Sequence, residues 1–275
     1  MQEHVVETAN CQTPETLVGY IAQIIDLGVQ KQEPYEEVFL GTEEEERAAI
    51  AERKDITFYD GIDRQTRKPA RIKSVPRPDI QKVAFTIDFP DILVDKAKFV
   101  TGVSDPKPLR INMSGDFPVV GADGNKVKVL SRAFPFKMTN IAASKEDKPI
   151  FSFSKNSAIY KMASAAKLLN DDGSFKAEDI GKLLGQAFQF TVEVKFNDKG
   201  YYAERIAFAG GLGRGMKAPK HLTIPYIVQM NRDNDPQAVK ELSAVVINTL
   251  RQSPTFAGSR LEAQIEAVKK ERLGG

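Results

Sequence analysis

NSAIYKMASAAKLLN (residues 156–170), followed by AFQFTVEVKF (187–196), NDKG (197–200) and YYAERIAFA (201–209), decides the fold class. In the first run Ile159, Met162, Ala163, Ala166 and Leu169 share one helical face, and Ser154 or Asn156 can cap its start. In the second, apolar and polar residues alternate with the two-residue period of a half-buried strand. Asn197-Asp198-Lys199-Gly200 has hairpin-turn chemistry and leads into a further alternating run. Asp171-Asp172-Gly173-Ser174 makes a turn after the helix, and residues 177–184 supply another helical turn or two before Gly185. A helix followed by a β-hairpin is the clearest local architecture in the chain.

Upstream the chain reads as β. LVGYIAQIIDLGVQ (17–30) is rich in β-branched and aliphatic residues and forms a long first strand, with Gly28 as a bend or bulge. VAFTIDF (83–89) alternates Val83, Phe85, Ile87 and Phe89 against Ala84, Thr86 and Asp88, and Pro90 ends it. Residues 93–103 continue a hairpin, and 109–113 and 127–136 are further strands separated by Gly-Asp-Phe-Pro and Ala-Asp-Gly-Asn turns. Residues 31–82 hold no sustained apolar period apart from 38–40 and 56–59. Their Arg-Lys-Pro-Ala-Arg and Pro-Arg-Pro stretches favour extended, exposed chain, a long insertion with one short helix at 43–53. Downstream of a Gly-Leu-Gly-Arg-Gly run come a short apolar segment at 222–230 and a helix at 236–252 burying Ala238, Leu242, Val245, Val246 and Leu250. A final amphipathic helix at 261–273 carries Ile265 and Val268, with Lys269, Lys270 and Arg272 near its end. No internal repeat is visible.

The chain has 275 residues, 41% hydrophobic and 28% charged, which suits one large domain or two modest ones and argues against disorder or a fibre. No run approaches the roughly 18 apolar residues of a spanning helix, so no membrane partner is expected. The opening MQEHVVETANCQTPE lacks a basic and apolar leader, which predicts a cytoplasmic protein. Cys11 is the single cysteine and reads as an inert thiol in a reducing compartment. Net charge is +2, from 39 bases and 37 acids, but the charges are segregated. Residues 33–46 hold Glu33, Glu36, Glu37, Glu43, Glu44, Glu45 and Glu46 with no base. Residues 64–82 hold seven bases against Asp79 alone. Two readings follow: solvated segments that offset each other, or a basic arm for phosphates beside an acidic segment that competes for it.

The element order predicts a mainly β chain of the α+β class: a five-stranded OB-type barrel with a long insertion after its first strand and C-terminal helices. Its strands are 17–30, 83–89, one within 93–136, 187–196 and 201–209, with the helix between strands three and four. Residues 1–214 form this nucleic-acid-binding domain, with an insertion at about 31–82, and 215–275 form a helical C-terminal appendage. GYIAQIIDLGVQ (19–30), DIGKLLGQAFQFTVEV (179–194) and YYAERIAFAGGLGRG (201–215) resemble phage-encoded single-stranded DNA-binding proteins with an OB fold. That family tends to open on an Ile-Ile-Asp-Leu-Gly strand and to place a Leu-Leu-Gly turn before a late strand. The resemblance covers only the two ends of the chain. It implies a non-catalytic protein that coats and protects single-stranded DNA during phage replication or recombination, largely without sequence preference, in the host cytoplasm. Replication or recombination proteins and further copies of the chain are the implied partners. The long insertion departs from the family, as does the mixed, slightly basic C-terminus, where many single-strand binders carry an acidic recruiting tail. The acidic run at 33–46 is the candidate substitute.

A single strand is held by cations on its backbone and aromatic faces under its bases, the stacking worth about 1–3 kcal/mol per base. Candidate phosphate contacts are Arg64, Arg67, Lys68, Arg71, Lys73 and Arg77 in the arm. Lys126, Lys128, Arg132 and Lys137 lie around the middle strand, and Lys195, Arg205, Arg214 and Lys217 at the last hairpin. Candidate stacking rings are Tyr59, Phe134, Phe136, Tyr201 and Tyr202. Phe85, Phe89, Phe188, Phe190 and Phe208 sit in alternating patterns and read as core. Consecutive strand residues point to opposite faces, so one of Tyr201 and Tyr202 faces outward. The glycines at 210–215 do not open a helix and no Walker-type motif exists, so this run is either a loop placing Arg214 on DNA or a domain linker. His4, His221 and Cys11 cannot build a zinc centre or a hydrolase triad, and no metal or cofactor is expected. Two other classes remain: a metal-dependent nuclease using Glu193-Val194-Lys195 with Asp91, and a virion or scaffold component.

Overall fold

The structure is a computed structural model that describes residues 15–94, 107–113, 119–120, 126–127, 133–144, 147–196 and 202–273. In chain order it begins with β1 (Glu15–Gln30), β2 (Tyr35–Val38), α1 (Glu43–Glu52), β3 (Thr57–Ile62), β4 (Pro69–Val75) and β5 (Ile80–Val94). There follow β6 (Lys107–Met113), β7 (Val119–Val120), β8 (Lys126–Val127), β9 (Phe134–Pro135), β10 (Met138–Asn140) and β11 (Phe151–Phe153). The remainder is α2 (Ala158–Ala165), a 3₁₀ helix (Ala177–Leu183), β12 (Ala187–Phe196), β13 (Tyr202–Gly210), β14 (Tyr226–Val228), α3 (Pro236–Lys240), α4 (Ala244–Arg251) and α5 (Arg260–Leu273). These elements form two units, one of residues 1–28 and 81–275, the other of Val29–Ile80.

The larger unit is built on a mainly antiparallel sheet of order β13-β12-β1-β5-β6, with β14 on β1 and β9 on β5. β1 runs antiparallel to β12, from Glu15 opposite Val192 to Tyr20 opposite Ala187, and further along takes β14 in parallel at Gln23 to Ile25. Its near-continuous apolar run follows from burial on both faces. Ile21 and Ile24 enter one core, Ile25 and Leu27 the other. The first core gathers Val83, Phe85, Ile87 and Phe89 of β5, Leu109 and Ile111 of β6, and Phe188, Phe190 and Val192 of β12 under Ile159 and Met162 of α2. The second gathers Ala84, Val228 and Met230 with Val239, Val246, Leu250, Leu261 and Ile265 of α3, α4 and α5. The segment beyond residue 214 therefore shares this unit and builds most of its second core. No pairing among the described residues closes the sheet: β13 and β6 are its ends, although residues of the two approach each other. Among the described residues no helix is long and apolar enough to cross a membrane.

Several local expectations change. β5 continues past Pro90 to Val94, with a register shift between Phe89 and Leu93 where the missing proline N–H interrupts no ladder bond. α2 is capped by Ser157, whose hydroxyl accepts from the Tyr160 N–H at 3.2 Å, and it stops before Leu169. Lys167 turns left-handed at φ 58° and the Leu168 N–H returns to Ala163 O, the helix-ending geometry that glycine usually supplies. The helix expected at 236–252 is two helices, because Ser243 starts a new one by capping Val246. Gly28 has φ 71°, and a Cβ there would stand 2.5 Å from Thr255 Oγ1 and 2.6 Å from Ser253 Oγ, so the bend in β1 admits glycine alone. The strand continuation expected at 95–103 lies outside the described residues.

The smaller unit overturns the expectation of an extended, exposed insertion. β2, β4 and β3 form an antiparallel sheet in that order, and α1 lies between β2 and β3 in the chain. α1 begins at a capping box: the Glu45 N–H donates to Thr42 Oγ1 and the Thr42 N–H to Glu45 Oε2 at 2.8 Å. Four glutamates in its first turn favour the helix dipole. No residue of α1 is buried. The helix is held instead by Arg71 of β4, which grips Glu46 through Nε at 3.0 Å and Nη2 at 2.6 Å, while Phe39 meets Phe58 edge-on at 4.8 Å.

Candidate nucleic-acid interface

In the smaller unit strand register joins the acidic block to the basic arm. Glu37 lies opposite Lys73, and their charged groups are 3.2 Å apart. Asp60 lies opposite Arg71 and accepts from it at 3.0 Å, beside the two-bond contact with Glu46. Arg64 pairs with Glu36 across the sheet. These hydrogen bonds hold the Glu46 carboxyl below the usual range and bind the Arg71 proton more firmly. Three of the six expected arm cations thus already hold carboxylates. Arg77 lies 5.5 Å over the ring of Tyr35. Arg67 and Lys68 occupy an exposed turn in which the Arg67 N–H donates to Asp63 O and the Asp63 N–H to Lys68 O, both at 2.9 Å.

Tyr59 is 42% exposed and donates its hydroxyl to Glu36 Oε1 at 2.8 Å, which raises the phenol's pKa. It stands in one row with Ile72 and Val38 across the three strands. This row, Tyr35, Leu40, Ile62 and Arg64 line a groove of about 780 Å³. Tyr35 escaped the sequence reading because it lies in the acidic run, away from the bases that mark a phosphate track. The signal was Arg77, two positions beyond the residue paired with Tyr35.

In the larger unit the candidates separate. Phe134 is half-buried with its ring 5.2 Å from Phe85, and Phe136 packs 5.3 Å from Phe153, so both serve the first core rather than presenting a face. Arg205, opposite Glu193 on the hairpin, is 6% exposed and reaches that carboxylate at 3.4 Å. The same contact occupies the acid of the nuclease-like Glu193-Val194-Lys195 element. Lys137, Arg214 and Lys217 are exposed. Lys126 lies in β8, Lys195 in β12 and Tyr202 in β13, with side chains outside the described set. Lys128, Arg132 and Tyr201 lie outside the described residues altogether.

The most completely built polar cluster was not anticipated. Asp88 of β5 is fully buried and accepts from Arg110 of β6 through Nε at 2.6 Å and Nη2 at 2.9 Å, and from the Thr223 hydroxyl at 2.7 Å. Arg110 also reaches Glu241, which follows α3, at 2.6 Å. Burial works against the Arg110 charge, but the Asp88 and Glu241 carboxylates outweigh it. Tyr20 of β1 donates to Asp88 at 3.3 Å and stacks on His221 at 4.2 Å. Burial pushes its phenol up. With its charges mutually satisfied, this cluster fastens residues 221–223 and Glu241 to β1, β5 and β6. No protein-family model, curated protein or solved structure matches the chain.

Proposed function

We propose that this chain binds single-stranded DNA in the host cytoplasm, coating and protecting it during phage replication or recombination, and that its sheet is an OB-type barrel. Strand order carries the reading. β1, β5 and β6 follow one another across the sheet, α2 and the 3₁₀ helix intervene, and β12 and β13 return beside β1 with β13 approaching β6. In OB barrels oligonucleotides lie on the face of strands two and three and at the connections between strands one and two and strands four and five. The first of those connections is here the whole smaller unit, which carries Lys68, Arg77, Tyr35 and Tyr59. Single-bond pairs at the surface are worth about 0–1 kcal/mol, so a phosphate can replace the carboxylate on Arg64 or Lys73, whereas the part-buried two-bond contact of Arg71 with Glu46 stays in place. Backbone pairing and ring stacking do not read base edges, which makes the binding tolerant of sequence and non-catalytic. Replication or recombination proteins and further copies of the chain are the proposed partners.

The test is a titration of fluorescent oligo(dT) over a salt series, with and without Mg²⁺. The expected result is saturable binding whose log K falls linearly with log salt, and an oligonucleotide of unchanged length. Absence of binding at low salt refutes the proposal, and shortening with Mg²⁺ replaces it with a nuclease. A second reading, an assembly or scaffold component, is favoured by the exposed apolar side chains of the smaller unit, among them Leu40 at 92% and Ile62 at 64%. That reading expects stable self-association without DNA and no shift of oligo(dT).

A further inference from the structure

We propose that residues 211–223, the connection leaving β13, form a phosphate-binding track through Arg214, Lys217 and Lys220; the inference rests on the single-strand-binding reading and names the cations of the larger unit that serve it. Between Glu204 and Asp233 the chain has no carboxylate at all. Arg214, Lys217 and Lys220 are exposed, and none has an acidic partner among the described residues, in contrast to Arg64, Arg71 and Lys73. A cation without a fixed counter-charge keeps its full attraction for a polyanion and releases a condensed counterion on binding.

The track is tethered at both ends. Gly211 lies against the end of α2, where a Cβ would stand 3.2 Å from that of Ala165. At the other end His221 Nε2 is 3.0 Å from Gly185 O, and the Thr223 N–H donates to the Tyr20 hydroxyl at 3.2 Å. The buried Asp88 then takes the Thr223 hydroxyl at 2.7 Å. Between these points the Met216 N–H donates to Gly213 O at 3.0 Å, closing a turn. Three cations at three-residue intervals are thereby shown on a short span anchored at both ends, which lowers the ordering cost of binding.

The full-length chain is titrated with oligo(dT) from 50 to 200 mM salt, comparing R214Q/K217Q/K220Q with R64Q/R71Q/K73Q. Each phosphate contact on a single strand contributes about 0.7 to the salt slope, so the first variant loses about 2 units of slope. Over this fourfold salt range wild-type affinity then falls about 20-fold further than that of the variant. The second variant changes the slope less, because its cations already hold carboxylates. Unchanged circular dichroism and melting temperature show that R214Q/K217Q/K220Q is folded, and a collapsed variant is replaced by the three single substitutions, whose losses of slope sum to the same value. If wild type binds oligo(dT) and the first variant keeps its slope, the track is refuted while the DNA-binding reading stands. If wild type does not bind, both fall. If the substitutions abolish adsorption to phosphatidylglycerol vesicles and leave oligo(dT) binding intact, the strip faces a membrane and the proposal is overturned.

Discussion

Asp88 and Arg110 show what one buried pair does for the larger unit. Asp88 is fully buried and takes both arms of the Arg110 fork, so removing the cation strands a carboxylate in a place water does not reach. Arg110→Met is expected to cost about 3–5 kcal/mol in urea denaturation. Replacing Asp88 and Arg110 together with apolar residues of matched volume costs far less, because no lone charge remains. A single variant as stable as wild type would show that the pair is not coupled to folding. The alternation of VAFTIDF places Asp88 on the face opposite Phe85 and Phe89. Its burial was illegible, since what covers that face comes from Thr223 and Glu241, far along the chain. Arg205 teaches the same lesson: its register with Glu193 follows from the hairpin, its burial does not.

Among elements, α1 is the most exposed to a single change. It buries no side chain, so it depends on its cap and on the Arg71–Glu46 contact. Thr42→Ala removes the acceptor of the Glu45 N–H and is expected to cost about 1 kcal/mol. Hydrogen exchange should therefore quicken about fivefold in the amides of α1, leaving β12 and β13 unaffected. Equal protection in α1 would locate its stability elsewhere. This helix was legible because a cap, an acidic first turn and good helix formers are local signals. The sequence reads as one helix over 236–252 because an apolar stripe continues across the break, where Ser243 caps a second start. β2, β3 and β4 carry no legible period because their strands are short and charged, and β2 finds its partner β4 only across α1 and β3.

At the scale of the whole molecule the smaller unit is an insertion in the chain of the larger one, between Gly28 and Gln81. The Gln81 side chain donates to Asp26, so the chain leaves and re-enters the larger unit at neighbouring positions. Replacing residues 29–80 with a short glycine-containing turn should leave one cooperative thermal transition and weaken oligo(dT) binding. A chain that no longer folds would mean that the larger unit needs the insertion. By themselves the residues determined the alternation of β1, β5, β12 and β13, the position of the intervening helix and the segregation of charge into blocks. Each of these is set by backbone geometry and composition within a few residues. Only the tertiary structure decided that the basic arm is a folded sheet in which Arg64, Arg71 and Lys73 hold carboxylates, and that Arg214, Lys217 and Lys220 hold none among the described residues. Ion pairing and burial depend on which distant segments meet and in what register, and that choice belongs to the packing of the whole chain.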